Sequence, residues 1–280
     1  MPKVSVLMPI YNTKEEYLRE AVESILNQTF TDFEFIILND SPQNKFLDSI
    51  IDSYNDKRII YYKNKQTLGI SQSRNKLLDL AQGEYIAIFD HDDISLPARL
   101  IKEVEYLDKN SDIGVVSCNV EKFPINYLSN HPYDNEKIKK ALVLDNYIQH
   151  TAMMVRKSIL DKYNIRYKEQ FSPAEDYMFV IDLMDYTLFH NLDEILVKYR
   201  FGKGTSNLHS KKMNDAAMLC RNIALKRYPY LYCFGTYWVY IFNILPLVKI
   251  KKCPDKITYY LFGLIPIIRI AKRIEQQRKM

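Results

Sequence analysis

Cysteine is scarce in this sequence: four in 280 residues, Cys118, Cys220, Cys233 and Cys253, with no CxxC spacing among them. That excludes a disulfide framework and a thiolate zinc site, and makes a reduced, cytosolic setting the expectation. Glycine is also sparse, 7 in all, and no glycine-rich, lysine-bearing loop opens the first helix, which disfavours a nucleotidyltransferase built on such a loop. Several long apolar spans are lacking, which argues against a polytopic membrane protein and a processive synthase of that type. The N-terminus opens directly on Lys3-Val4-Ser5-Val6-Leu7-Met8 with no basic segment followed by a long apolar one, so secretion is not expected. What is present is core material: 47% hydrophobic and 13% aromatic residues against 26% charged, enough for a sizeable folded body and too apolar for disorder.

The net charge of +5 conceals a split. Residues 1–200 hold 24 basic and 31 acidic side chains, a balance of −7, whereas 201–280 hold 15 and 3, a balance of +12. An acidic body with a basic tail implies an anionic partner for the tail alone, nucleic acid or a membrane surface. Leu, Ile and Pro between the charges fit lipid better than nucleic acid. The tail also repeats itself at a period of 20: Phe242–Lys252 matches Phe262–Lys272, each copy aromatic and apolar, then basic. Two copies are too few for a solenoid, so the repeat reads as two similar patches meeting one planar anionic membrane, with packing on the body or in a homo-oligomer as the competing reading. The stretch Tyr228–Val248 is uncharged over 21 residues, long enough to span a bilayer of about 30 Å. Its tyrosines, Asn243 and Pro246 favour interfacial docking over spanning.

Over the first 118 residues two periodicities alternate. Short apolar, β-branched runs at Val4–Met8, Phe33–Leu38, Ile59–Tyr62, Tyr85–Phe89 and Ile113–Cys118 have the length of buried parallel strands. Between them Glu15–Asn27, Ile70–Leu80 and Leu96–Asp108 show helical spacing. The expectation is an α/β fold, a mostly parallel sheet flanked by helices, with ligands at the carboxyl ends of the strands. From 119 to 200 an α+β extension of the same domain is expected, with a helix over Glu136–Leu144, another entering at Pro173, and strands near Thr187–Asn191 and Ile195–Arg200. The expected division is one domain over 1–206, with halves at 1–118 and 119–206, followed by a helical, basic-amphipathic extension over 207–280.

The strand ends point to the chemistry. Asp90-His91-Asp92-Asp93 follows the run Tyr85–Phe89; three carboxylates in four residues repel one another and ask for a cation, and oxygen ligands suit Mg²⁺ or Mn²⁺. An acidic surface loop is the alternative. Asp40 ends the second strand, as an Asx turn with Ser41 and Pro42 or as a ligand contact. Arg74 lies early in a helix after Gly69, where guanidinium and helix N–H groups could both face a phosphate, or it is a solvated surface arginine.

Together these blocks, Val4–Asn12, Ser24–Phe30, Asn39-Asp40-Ser41, Gly69–Asn75, Gly83–Ile86 and Asp90–Asp93, resemble the GT-A fold glycosyltransferases of family 2. The resemblance thins but persists through Asn146–His150, Glu175-Asp176 and Tyr199-Arg200, and does not reach the tail. It implies a Rossmann-like, inverting, metal-dependent transferase that uses a nucleotide sugar, most often a UDP-sugar, with the base between the Pro9–Tyr11 loop and Asp40. Arg74 is then near base and diphosphate, Asp90 and His91 line the nucleotide, and Asp92 or Asp93 holds the metal. Asp176 is the implied general base, with Glu175 paired to a cation or bonded to the acceptor and His150 on the acceptor side or structural. After Tyr199-Arg200 the family often places a histidine near the phosphates; here Lys203 follows, on a glycine-flanked segment, and is the candidate for that charge. The setting implied is surface-glycan assembly on a glycan or lipid-linked acceptor, at the inner face of the cell membrane. A non-catalytic nucleotide-sugar-binding subunit is the alternative, and it would have no need of Asp176.

Overall fold

The computed structural model describes residues 1–202, 210–231, 235–241, 245–252, 256–261 and 265–271, which fall into two compact units, Met1–Cys220 and Arg221–Met280.

In the first unit a sheet is laid down by β1 (Val4–Ile10), β2 (Phe33–Asn39), β3 (Ile59–Lys63), β4 (Tyr85–Ile88), β5 (Ile94–Ser95), β6 (Ile113–Phe123), β7 (Tyr127–Leu128), β8 (Met154–Arg156) and β9 (Leu188–Arg200). The path across it is β3-β2-β1-β4-β8-β6-β9-β5, with β7 added to β6. Strands β1 to β4 pair in parallel, β6 is parallel to β9, and β8 runs antiparallel between β4 and β6. The carboxyl ends of β1, β2, β4, β6 and β9 therefore share one edge. β1 and β2 are buried along their whole lengths, as expected for strands covered on both faces.

The helices are α1 (Glu15–Leu26), α2 (Lys45–Asp52), α3 (Ile70–Leu80), α4 (Arg99–Lys109), α5 (Asn135–Leu142), α6 (Lys157–Lys162), α7 (Glu175–Leu183) and α8 (Ser210–Arg227). Amphipathic spacing decides which face each buries: α1 turns Leu18, Ala21, Val22 and Ile25 into a core shared with Val6, Met8, Phe35, Ile37, Ala87 and Leu100. The two strands expected near 187–200 are one continuous strand, β9, because ladder pairing to β6 carries through Asp193-Glu194 with a register shift instead of a turn.

Polar residues lock the frame where apolar packing cannot. The Gln28 side chain is buried at the end of α1; its Nε2 donates to the carbonyls of Ser24 and Leu96, and its Oε1 accepts from Leu100 N–H at 3.0 Å. Arg99 and Glu103 form an ion pair with both side chains 0% exposed. Burial pushes the Glu103 carboxyl up to about 7 despite the neighbouring guanidinium. Arg99 Nη2 also donates to the Ile88 carbonyl at 2.9 Å, gripping the last residue of β4.

Described by itself, the second unit contains the end of α8, a single 3-10 turn at Pro229–Leu231, and a four-stranded antiparallel sheet: β10 (Gly235–Ile241), β11 (Leu245–Lys252), β12 (Lys256–Leu261) and β13 (Ile265–Ala271), in that order. Among its described residues the extension is thus α-helical only as far as Arg227, where further helix was expected. Its Thr, Val, Ile and Tyr residues favour strands, and Pro246 and Pro266 do not fit a helix interior. The repeat acquires a structural meaning, since β10–β11 and β12–β13 are two copies of one hairpin with a register irregularity at the same place, Val239/Tyr240 and Tyr259/Tyr260. The unit boundary falls later than the expected 206, within α8.

Gly83 shows how closely the frame is built. Its N–H donates to Ser5 Oγ at 2.7 Å, and a Cβ there would stand 2.5 Å from the Ser5 backbone nitrogen. Gly83→Ala is expected to destabilise the first unit by about 1–3 kcal/mol through overpacking, a fall in melting temperature of about 2–10 °C by calorimetry.

Candidate functional site

At the carboxyl edge of the sheet the chain delivers its acidic and polar loops: Tyr11-Asn12 after β1, Asp40-Ser41 after β2, and Asp90–Asp93 after β4. Pro9 lies inside β1 and is buried, while Tyr11 is 49% exposed and free to meet a ligand. Asn12 takes a positive φ of 45°, a conformation asparagine tolerates, and its N–H donates to Ser41 Oγ at 2.8 Å, so the first two loops are tied together.

Asp40 is buried and its carboxylate is engaged by the chain. Oδ1 accepts from Leu68 N–H at 2.8 Å and from Asn64 Nδ2 at 2.7 Å, and Oδ2 accepts from Gly69 N–H at 2.9 Å. Asp40 therefore fixes the turn that starts α3, where Gly69 has a φ of +87° that other residues rarely adopt. This anchoring places Arg74 on the inward face of α3.

Arg74 is itself buried, not a solvated surface arginine, and its guanidinium meets two carboxylates. Nη1 donates to Glu175 Oε1 at 2.8 Å and Nη2 to Asp90 Oδ1 at 2.9 Å. Its guanidinium carbon lies 5.5 Å from the centroid of the Tyr167 ring. Next to it, Asn75 exchanges two hydrogen bonds with the Tyr167 backbone, both 2.8 Å, which clamps α3 to the segment leading into α7.

The acidic loop divides its labour. Burial would raise the Asp90 carboxyl, but Arg74 outweighs it and holds Asp90 below the ordinary range. Burial raises Asp92, with repulsion from Asp90 adding to it. Asp93 is pushed up well beyond its ordinary value by burial and by both neighbouring acids. It is 1% exposed and its Oδ1 accepts from Arg200 N–H at 2.8 Å, so it braces the loop from inside, whereas Asp92 and His91 remain half-buried at the surface. Arg200 donates through Nε to the Asp92 carbonyl at 2.8 Å, pairs with Glu20, and lies over the Tyr17 and Phe123 rings. It too is a brace, not a free cation. The oxygen-only set suits a hard divalent cation, which would relieve the repulsion that raises Asp92. Among the described residues no three metal-ligating side chains converge on one point, so such an ion would take one or two carboxylates here and fill its other positions from ligand oxygens or water.

Asp176 sits in the first turn of α7, where the helix dipole favours an anion. Its Oδ1 accepts from Tyr177 N–H at 2.7 Å and Asn146 Nδ2 lies 3.5 Å from Oδ2. Burial first, then repulsion from Glu175, push this carboxyl up to about 6 against the pull of Arg74. Cys220 of α8 lies on the same helix end, its Sγ 3.6 Å from the Ala174 carbonyl. His150 is buried, with Nε2 2.9 Å from the Tyr167 hydroxyl, and burial and Arg74 drive it down to about 3, so it is a neutral structural ring at physiological pH. Lys203 lies outside the described residues.

The structure thus brings Arg74, Asp90, Glu175 and Asp176 into one network and places Asp92 beside it. Tyr167, Asn75, Thr151, which accepts from Asp90 N–H, and Glu20 join it without having been marked as site residues. Asn75 adjoins Arg74 in the chain and so had a local signal. Tyr167 and Glu20 had none, because only packing across the sheet makes them neighbours. A separate cavity of about 520 Å³ lies at the opposite edge, lined by Lys3, Glu84, Lys157 and Asp161. Lys3 pairs there with Glu84 and Lys157 with Asp161, while the Arg156 guanidinium donates to the carbonyls of Leu107, Asn110 and Ile113.

Comparison with known proteins agrees with this geometry. Residues 5–163 match the family described as Glycosyl transferase family 2. An uncharacterised glycosyltransferase of Methanocaldococcus jannaschii is 42% identical over 208 residues, 71% of this chain and 71% of that protein. The poly(ribitol-phosphate) beta-N-acetylglucosaminyltransferase TarP of Staphylococcus aureus is 32% identical over 194 residues, 66% of this chain and 58% of its own. Among solved structures, Staphylococcus aureus TarS in complex with UDP-GlcNAc superposes with a TM-score of 0.66 at 19% identity, over 80% of this chain and 66% of that one. The mannosyltransferase PcManGT of Pyrobaculum calidifontis, in complex with GDP-Man and Mn²⁺, gives 0.62 at 16% identity over 81% and 64%. The chain spans about two thirds of the length of these solved proteins. With the family matched over more than half its length and the same curled, helix-flanked sheet beneath the acidic loop, the chain belongs to glycosyl transferase family 2 and has the GT-A fold.

Proposed function

We propose that this protein transfers a sugar from a nucleoside diphosphate sugar, a UDP-sugar in our reading, to a hydroxyl of a glycan or lipid-linked glycan in cell-surface glycan assembly, with inversion at the anomeric carbon. The observation that carries the reading is Asp176: a half-buried carboxylate pushed up to about 6, set in the first turn of α7 within one network with the acidic loop. A sugar hydroxyl is a weak nucleophile, and a base poised near neutrality can take its proton during attack, a contribution of about 10²–10⁴-fold. The proton goes to an Asp176 oxygen, and Asn146 beside Oδ2 orients the carboxylate. One base is enough for a single displacement, so no covalent sugar intermediate forms and the configuration inverts.

Exposed Tyr11 supplies a face for the nucleotide base. Asp92 is our choice for the metal ligand over Asp93, since Asp93 is buried and bonded to Arg200 N–H. The comparison proteins with UDP, UDP-GlcNAc or GDP-Man and Mn²⁺ support a nucleotide sugar and Mn²⁺ or Mg²⁺. Bound there, the ion would neutralise charge on the leaving diphosphate.

The second unit, in this reading, docks on an anionic membrane. Cross-strand register aligns Thr236, Lys251, Thr258 and Arg269 in one row and Trp238, Lys249 and Tyr260 in another, while Tyr237, Ile250, Tyr259 and Ile268 form the row between them. Alternate rows belong to opposite sheet faces, so Lys249, Lys251 and Arg269 fall on one face. Among the described residues no helix is long and apolar enough to cross a membrane.

Two outcomes are expected. In a panel of UDP-sugars with Mn²⁺, transfer from one donor is abolished by EDTA and falls at least about 100-fold in Asp176→Asn while UDP binding by calorimetry persists; a fully active Asn variant would end the base assignment. In flotation assays the full chain binds vesicles rich in anionic lipid and is released by salt. The triple variant Lys249→Glu, Lys251→Glu, Arg269→Glu binds at least about 100-fold more weakly, at about 1 kcal/mol per basic residue.

A further inference from the structure

Glu175 and Arg74 take no part in the proton transfer proposed above, yet both charges are buried. Glu175 is 4% exposed and Arg74 8%, so neither can serve a ligand as a free surface charge. The guanidinium is stretched between two elements that are far apart in the chain: Asp90, at the end of β4, and Glu175, 101 residues after Arg74, at the start of α7. Losing either partner would leave a buried charge uncompensated, which proteins avoid. Asp176 is the next residue after Glu175, and so its carboxylate is carried by the very turn that Arg74 holds.

We propose that Arg74 and Glu175 are positioning residues for Asp176: the guanidinium, pinned between Asp90 and Glu175, fixes the first turn of α7 against the acidic loop and sets the electrostatic field at the base. The inference rests on the reading of Asp176 as the general base. Among the described residues the titratable and charged groups facing Asp176 are these. Glu175 comes from its own helix, Arg74 from α3, Asp90 from the loop after β4, Tyr167 from the segment before α7 and Cys220 from α8. Tyr167 and Cys220 are both raised by burial and stay neutral, so they add no charge. The balance at Asp176 is therefore two carboxylates against one guanidinium. Glu175 repels a charged Asp176 and raises its proton affinity, and Arg74 lowers it. Since the base works only when deprotonated, a raised carboxyl loses activity as pH falls through its own pKa, which puts the acid limb of the rate profile near 6.

The two substitutions must act in opposite directions. Glu175→Gln keeps the shape and removes the repulsion, so the acid limb moves down, by about one pH unit. Arg74→Gln removes the attraction, so the limb moves up by a similar amount. A merely structural pair would lower the rate and leave the limb where it was. The experiment is the pH dependence of kcat and kcat/KM for the wild type and both variants, with a ¹³C-carboxyl NMR titration of Asp176 in the same full-length proteins as a readout independent of turnover. Thermal unfolding and UDP binding identify any variant that has lost its fold, and either variant suffices. Shifts of opposite sign, seen in turnover or in the titration, support the proposal; a folded variant whose Asp176 titrates as in the wild type overturns it. If the wild type has no acid limb near 6 and Asp176→Asn remains active, the base reading itself has failed, which is a different result from a dead Asn variant with an unmoved limb in Glu175→Gln.

Discussion

The site is organised around a shortage of positive charge. Asp90, Asp92, Asp93, Glu175 and Asp176 gather at one edge of the sheet, and Arg74 is the guanidinium buried among them. Like charges taken out of water repel strongly, and the surrounding structure can be understood as the means of holding them there. A helix N-terminus receives Glu175 and Asp176. Two further arginines hold the segment from other sides: Arg99 donates to the Ile88 carbonyl at the end of β4, and Arg200 donates through its side chain to the Asp92 carbonyl and through its backbone N–H to Asp93 Oδ1. Three arginines from α3, α4 and β9 thus fix one short turn.

That arrangement trades stability for chemistry. Raised carboxyls at Asp92, Asp93 and Asp176 mean that the folded protein disfavours their charged forms. A site at rest with excess negative charge is receptive to a divalent cation, and a carboxylate near 6 is receptive to a proton. The frame that tolerates this is rigid by other means: the fully buried β1 and β2, the Gln28 latch between α1 and the start of α4, and the Asn75–Tyr167 clamp.

The second unit answers to a different constraint. It carries a concentrated positive charge and few acids, and its repeat is realised as two equivalent hairpins in one sheet. Hairpin pairing brings Lys249 and Lys251, two residues apart, into register with polar and aromatic partners on neighbouring strands. The acidic cluster and the basic repeat therefore lie in separate compact units.

Much of this was legible in the chain because the signals are local. Apolar runs of strand length, helical spacing at Glu15–Leu26 and Ile70–Leu80, and the acids immediately after the Tyr85 run depend on neighbours within a few residues, and the structure has them where the spacing put them. The extension was expected to be helical, and beyond Arg227 its described elements are strands; a 20-residue repeat states that two segments are alike, not which secondary structure they share. The roles of individual site residues were set by contacts that no local pattern encodes. No local pattern says that Asp40 accepts from the N–H groups of Leu68 and Gly69 or that Arg74 joins Asp90 to Glu175. The sequence by itself determined which charges exist and at which strand ends they stand. Only the tertiary structure decided which are buried and which cation each one meets, because desolvation and Coulomb energy depend on distance in space, and residues 101 positions apart here lie 2.8 Å apart.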